Sequence, residues 1–248
     1  MEPATPITEP TPTRVLAVER AAAALEVILC SGFPTQIVII TVLATFGVQP
    51  RLSDGRFNAP FIFALTLLDT VLLVGLVCFF FRAHRESIRE QLFGARRLGR
   101  ELLLGLLLIP ASFGVVVLVL LVVQLAAPSL RNVPQNPLAE LARTRIDALL
   151  FGFVVMIAGG VREEVQRGFV LRRFEQFLGG GGAGLIIFSC LFGLGHLEQG
   201  RDVAIATAIL GAFWGSIFLR RRSIAAPMVG HAGFNLLQVA KFLVLGAR

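Results

Sequence analysis

The chain has 248 residues, of which 55% are hydrophobic, with a mean hydropathy of +0.78 and a formal net charge of +7. This composition excludes an ordinary soluble protein. The arginines flank apolar segments and form no continuous basic stripe, which argues against nucleic-acid binding and for charge-directed orientation in a membrane. We therefore expect an integral membrane protein that lies in a lipid bilayer and does not bind nucleic acid.

Apolar stretches dominate the chain after a polar start. Residues 1–13 are rich in proline and threonine and are predicted to form a disordered tail, whereas residues 14–248 are predicted to form a single integral-membrane domain. A helix needs about 20 residues to cross a bilayer. Seven stretches reach or approach that length: 24–48, 59–81, 101–126, 147–170, 183–197, 203–219 and 224–245. The sequence predicts an all-α, polytopic membrane bundle of about seven to eight transmembrane helices with an internal polar cavity.

Arginines predict the orientation of this bundle. They are concentrated in the connection after the second stretch and in the turn before the last one, at 82–100 and 220–222. Because basic loops are retained in the cytoplasm, the N-terminus is predicted to be cytoplasmic and the C-terminus to lie outside. The predicted location is the bacterial inner (plasma) membrane.

Two groups of glycines carry structural predictions, one for a turn and one for helix packing. The run at 178–184 predicts a hinge or a tight turn, because consecutive glycines do not hold a regular helix well. Gly211 and Gly215 have the small-xxx-small spacing that lets membrane helices pack closely. We expect packing from this pair, and not chemistry.

Ionisable residues within apolar stretches are the candidates for chemistry. Glu163 and Glu164 follow a long apolar run, and Arg167 lies within one helical turn of both, so either glutamate could form an ion pair with it. Charges at membrane depth cost at least a few kcal/mol each, so they are rarely kept without a role. The alternative is that the span has ended and these charges form a solvated helix end.

Two later segments contribute histidines. His196 ends an apolar run, where an interfacial histidine is the simpler interpretation, whereas His231 and Asn235 share one helix face. The latter pair could also be an interhelical hydrogen bond that only joins helices. A carboxylate beside imidazoles can deprotonate water, and a further donor pair can stabilise the oxyanion that forms on an attacked carbonyl. The combination therefore predicts a hydrolytic site.

In these residues the chain resembles the CPBP family of intramembrane proteases, also called the CAAX-protease or Abi family. Its motifs are a Glu-Glu pair followed by Arg, then Phe-x-x-x-His, then His-x-x-x-Asn. The corresponding residues here are Glu163, Glu164, Arg167, Phe192, His196, His231 and Asn235. They occur in the family's order, and the resemblance covers about residues 145–245, the predicted catalytic core. Only two residues separate the Glu pair from the arginine, where the family pattern usually has three.

The resemblance implies roles for these residues. A glutamate and His196 would activate the attacking water, and His231 and Asn235 would stabilise the oxyanion. Arg167 and Phe192 would support them. The implied fold is a conical helical bundle with a water-filled cavity.

The choice of base and the need for a metal stay open at this point. We favour Glu163 as the base, because its spacing of four residues from Arg167 allows a same-face ion pair, with Glu164 as the alternative if the helix is shifted in register. One glutamate and two histidines would suit zinc, which makes Glu163, His196 and His231 candidate ligands. The same residues also suit a metal-free acid–base site, and we expect no obligatory cofactor.

The leading hypothesis is an intramembrane endopeptidase, a hydrolase that cleaves a membrane-associated or lipidated peptide or protein. A proton-coupled transporter that uses Glu163 and the histidines as a relay is one alternative, and a catalytically silent membrane scaffold is another. The sequence leaves the oligomeric state open. Upright helices would place His196 and His231 about 10 Å apart in depth, given the rise per residue, so tilt or a deeply placed turn at 179–182 is required.

Overall fold

The described residues are entirely helical apart from loops. The structure, a computed structural model, describes residues 12–245, with side chains from 16 to 240. The helices are α1 Pro12–Leu29, α2 Phe33–Thr45, α3 Ala59–Ala83, α4 Ile88–Leu92, α5 Leu98–Ala126, α6 Arg145–Val155, α7 Glu164–Phe177, α8 Gly181–Leu194, α9 Arg201–Arg221 and α10 Ala225–Leu245. A π-helical segment, Met156–Glu163, joins α6 to α7, and this part of the chain contains no β-strand. The all-α prediction is confirmed for these residues. Most of the predicted disordered tail lies outside the described residues, and α1 begins at Pro12.

The number of spans differs from the prediction. In the described part of the chain, α3, α5 and α9 are each long and apolar enough to cross a membrane. Helices α1 and α2 meet at an angle of 44° and together pass the same test as one broken span, which gives three or four spans. The break is at Gly32, whose φ of +88° is unfavourable for other residues. Helix α8 is apolar but has only 14 residues. The count of seven to eight is not confirmed.

Helix α6, the π-helical segment and α7 form one continuous helical run. It begins with a capping box, in which the Thr144 hydroxyl accepts from the Asp147 backbone N–H and the Asp147 carboxylate accepts from the Thr144 backbone N–H. It ends at Phe177, after which Gly179 and Gly180 adopt positive φ. The predicted glycine turn is therefore present but short, because α8 already begins at Gly181.

Helix α10 lies against α5 on one side and against α6 and the π-helical segment on the other. Helix α9 packs against α8, and the predicted close approach at Gly211 and Gly215 is confirmed there. A methyl group on Gly211 would lie 2.9 Å from the Phe192 ring, and one on Gly215 would lie 2.5 Å from the Leu185 side chain. Helices α3, α7 and α10 contact the π-helical segment, and α8 and α9 pack against α7.

The arginine-bearing connections gather at one end of the bundle, here called the arginine-rich end and defined by residues 82–100, 172–175 and 220–222. The Arg172 side chain donates to the Gln91 carbonyl, and the Arg96 side chain donates to the Arg221 carbonyl. Arg221 in turn pairs with the buried Glu101 carboxylate of α5. The clustering of basic loops that the sequence predicts is therefore present in three dimensions.

Candidate active site

Two glycines of the π-helical segment lie directly against α10. A methyl group on Gly159 would lie 2.9 Å from His231 Nε2 and would also collide with the Asn235 amide nitrogen, and one on Gly160 would lie 2.7 Å from Ala232 Cβ. The Asn235 amide donates to the Val155 carbonyl at 3.3 Å, at the start of the π-helical segment. Segments of π-helix are frequent at functional sites. Sequence reasoning missed this contact, although the Gly-Gly pair shortly before the glutamates was the available signal.

His231 is buried between both glutamates. Its Nδ1 lies 2.8 Å from Glu164 Oε1, and its Nε2 lies 3.6 Å from Glu163 Oε2. Because a carboxylate accepts, Nδ1 carries the hydrogen, and Nε2 faces Glu163 across a gap slightly too long for a direct hydrogen bond. The Trp214 ring stacks on the imidazole with centroids 3.8 Å apart. The imidazole is therefore held in one orientation by a carboxylate at its edge and an indole on its face.

Glu164, and not Glu163, pairs with Arg167. Both side chains of this ion pair are only 1% exposed, and the residues are three apart on α7. The guanidinium lies 5.0 to 5.6 Å from the rings of Phe188, Phe192 and Trp214. The expected pairing of Glu163 with Arg167 is therefore wrong. Glu163 is the last residue of the π-helical segment, whose wider turn separates it from the α7 face that carries the other two residues.

Glu163 instead accepts from Arg162. The Arg162 Nη2 lies 2.9 Å from Glu163 Oε1, and the Arg162 Nη1 pairs with Asp69 of α3. Asp69 is fully buried and also accepts from Thr35 and from Gln36 of α2. Sequence reasoning missed Asp69 and Arg162. The signal was present, because Asp69 is the only acidic residue within the 25-residue apolar helix α3.

His196 lies at the edge of this cluster, just after α8. Its Nδ1 lies 2.8 Å from the Phe192 carbonyl, which can only accept, so the Nε2 is the ring nitrogen left for other partners. The Phe192 ring contacts both imidazoles, at 5.0 Å from His196 and 6.3 Å from His231. Among the described residues, no hydrogen bond or ion pair joins His196 to a glutamate.

The structure therefore brings Glu163, Glu164, His231 and Asn235 into one cluster and connects His196 to it through Phe192. The protein-family model described as "Type II CAAX prenyl endopeptidase Rce1-like" matches residues 145–237, from the start of α6 into α10. This match supports a CPBP (CAAX) intramembrane protease family for residues 145–237. Comparisons with curated proteins and with solved structures gave no significant match. The family match indicates an integral-membrane endopeptidase that acts on a peptide or protein substrate.

The candidate metal ligands of the matched segment do not form a metal site as arranged. Across residues 16–240, no three His, Cys, Asp or Glu side chains are grouped so as to hold a metal ion. Zinc requires its nitrogen and oxygen ligands at about 2.0–2.2 Å. His231 Nδ1 is hydrogen-bonded to Glu164 and His196 Nδ1 to the Phe192 carbonyl, and among the described residues no hydrogen bond or ion pair joins His196 to Glu163. We therefore derive no step through zinc.

The predicted internal polar cavity is not confirmed. One cleft of about 350 Å³ lies at the end opposite the arginine-rich end, between α5, the loop after it and the start of α9. Another of about 270 Å³ is an apolar groove between α6 and α10. Neither is lined by the glutamates or histidines of the cluster.

The buried pair of Glu164 and Arg167 predicts a strong effect on stability. Arg167→Met leaves a buried carboxylate without its cation, and breaking such a pair costs about 3–5 kcal/mol. We expect a loss of that size in the free energy of unfolding, measured by reversible unfolding in mixed micelles. The control is Arg222→Met, whose pair with Glu175 is 48% and 20% exposed and is worth about 1 kcal/mol or less. Equal losses in the two variants would contradict the prediction.

Proposed function

We propose that the protein is an intramembrane endopeptidase that hydrolyses a peptide bond of a membrane-associated or lipidated peptide or protein. The observation that carries this proposal is His231, whose imidazole lies between Glu164 and Glu163 and is covered by Trp214. An oriented imidazole facing a carboxylate across a gap of 3.6 Å is an arrangement suited to polarising a water molecule or a substrate carbonyl.

The proposed reaction begins with water beside Glu163. Glu163, assisted by His196, removes a proton from the water as its oxygen attacks the carbonyl carbon of the substrate. Donors from His231 and Asn235 stabilise the negative oxygen that results. His231 donates from Nε2 when its ring carries a second proton, because Nδ1 already donates to Glu164. The carbon–nitrogen bond then breaks, and the proton held by Glu163 passes to the leaving amine.

Other polar atoms support a hydrated site. Glu164 Oε2 and the Nε and Nη2 atoms of Arg167 are buried and have no protein hydrogen-bond partner among the described residues. Buried polar groups are almost always satisfied, by protein, by water or by a ligand. These three atoms could therefore form hydrogen bonds with water or with a substrate amide.

We also propose the membrane arrangement. The broken span α1–α2, then α3, α5, the continuous α6–α7 run, α8, α9 and α10 would give seven crossings of one domain, residues 14–248, with 145–245 as the catalytic core. The arginine-rich end would face the cytoplasm together with the N-terminus. The bacterial inner membrane is the location that we propose. The clustering of the basic loops at a single end supports this orientation.

The test is cleavage of a membrane-peptide library by the purified protein in liposomes, with products identified by mass spectrometry. We expect defined cleavage products that disappear with Glu163→Gln. Products that persist with folded Glu163→Gln, Glu164→Gln and His196→Ala variants would refute the protease. Solute flux that these substitutions block, without any peptide product, would favour a transporter.

Metal dependence has its own test. Because the cluster lacks a grouped set of three metal ligands, we expect exhaustive chelation with EDTA and 1,10-phenanthroline to leave cleavage unchanged. The measurement is the initial cleavage rate in liposomes before and after chelation, with metal content determined in the same samples. Loss of cleavage that zinc, but not magnesium, restores would overturn this expectation.

A further inference from the structure

Asp69 is a buried charge far from the matched segment in sequence. It lies in the middle of α3, a helix otherwise composed mainly of apolar residues, and none of its surface is exposed. Three side chains from two elements contact it: Thr35 and Gln36 of α2, and Arg162 of the π-helical segment through an ion pair. A carboxylate at membrane depth is costly, so this degree of coordination points to a role.

Arg162 connects Asp69 to the candidate active site. Its Nη1 pairs with Asp69 and its Nη2 donates to Glu163 at 2.9 Å, so one planar guanidinium spans two carboxylates. Only 15% of the Arg162 side chain and 13% of the Glu163 side chain are exposed. Because the guanidinium group is planar and rigid, holding its Nη1 at Asp69 also fixes the direction in which its Nη2 points.

We propose that Asp69, acting through Arg162, positions Glu163 for catalysis. Asp69 fixes the guanidinium, and the guanidinium holds Glu163 Oε1, which leaves Glu163 Oε2 directed at His231 Nε2. Thr35 and Gln36 fix Asp69 in turn, so α2 and α3 become part of the active site although they lie outside residues 145–237. This inference rests on the proposed function, because it assigns Glu163 as the base.

A merely structural ion pair would have different consequences. The protein supplies a matched example in Glu101, a carboxylate of α5 that is 1% exposed and pairs with Arg221 of α9. That pair lies at the arginine-rich end, and among the described residues it makes no hydrogen bond or ion pair with the cluster around His231. Removing the charge of Glu101 therefore measures the cost of losing a buried helix–helix ion pair without disturbing Glu163.

The experiment compares steady-state cleavage by Asp69→Asn, Arg162→Met, the double variant and Glu101→Gln. A misplacement of a reacting group by about 1 Å costs about 10²-fold, so we expect kcat to fall by about 10–100-fold in Asp69→Asn. KM should change by less than about twofold, because substrate binding is not altered. The double variant should be no slower than Arg162→Met alone, because both substitutions interrupt one chain of contacts. Glu101→Gln should keep the wild-type kcat.

Each other outcome overturns the inference. A folded Asp69→Asn protein with wild-type kcat refutes it, as do equal losses in Glu101→Gln or losses that multiply in the double variant. If Asp69→Asn does not fold, Thr35→Val takes its place. It removes one hydrogen bond to Asp69 at equal volume and should lower kcat at constant KM, and a wild-type kcat would refute the inference. Cleavage that survives Glu163→Gln but not Glu164→Gln would also refute the inference, whereas cleavage that survives in folded Glu163→Gln, Glu164→Gln and His196→Ala variants would refute the proposed function itself.

Discussion

Glu163→Gln is expected to lower the cleavage rate by about 10³-fold while the protein stays folded, because removal of a general base typically costs 10²–10⁴-fold. The glutamine keeps the size of the side chain and can still bond to Arg162, but it cannot take a proton from water. The rate is measured with a peptide identified from the library, in liposomes, at fixed lipid-to-protein ratio. Thermal unfolding of the same preparations shows whether the fold is retained.

The matched control is Glu198→Gln, an exposed carboxylate two residues beyond His196 that the motifs do not include. The Glu198→Gln protein should cleave the peptide at the wild-type rate. Glu164→Gln differs from both, because it breaks the buried pair with Arg167 and should lose stability together with activity. Cleavage that survives Glu163→Gln but disappears in a folded Glu164→Gln protein would transfer the role of base to Glu164.

Gly159→Ala is expected to lower the cleavage rate by about 10²-fold, the cost of misplacing reacting groups by about 1 Å. The added methyl group would lie 2.9 Å from His231 Nε2 and would collide with the Asn235 amide. Helix α10 must then move away from the π-helical segment, which carries both proposed oxyanion donors away from Glu163. The measurement is kcat/KM for the same peptide, with unfolding followed in parallel.

Gly152→Ala provides a control at the same helix pair. A methyl group there would meet Leu236 at 3.6 Å and Val239 at 3.7 Å, which is ordinary van der Waals contact. Its cleavage rate should equal that of the wild-type protein. If Gly159→Ala and Gly152→Ala have the same activity, the close approach of α10 to the π-helical segment has no catalytic role.

The sequence predicted the all-helical class and the membrane setting correctly, because both follow from the composition of long apolar runs. Its count of seven to eight spans is not confirmed, because length and apolarity identify only three or four among the described residues. Helix α8 is short, and the run from α6 into α7 becomes strongly charged after Gly160. Apolar length predicts a span only where the helix is both uninterrupted and lipid-exposed.

The motif residues could be selected from the sequence, but their partners could not. Spacing along a regular helix favoured Glu163 as the partner of Arg167. In the structure, the π-helical segment turns Glu163 towards Arg162, and Arg167 forms its ion pair with Glu164. A π-helical segment depends on tertiary packing, here on α10 lying against Gly159 and Gly160. Spacing rules that assume regular α-helix fail at such a place.

By itself, the sequence determined the chemistry available to this protein: apolar segments suited to lipid, and a small set of acids, imidazoles and an amide that such segments rarely contain. Only the tertiary structure decided which acid meets which base. It placed His231 between two glutamates, brought Asp69 from a distant helix to Arg162, and left His196 beside Phe192. The physical reason is that hydrophobic transfer acts on each segment separately, whereas charge pairing depends on the distances and directions that helix packing sets.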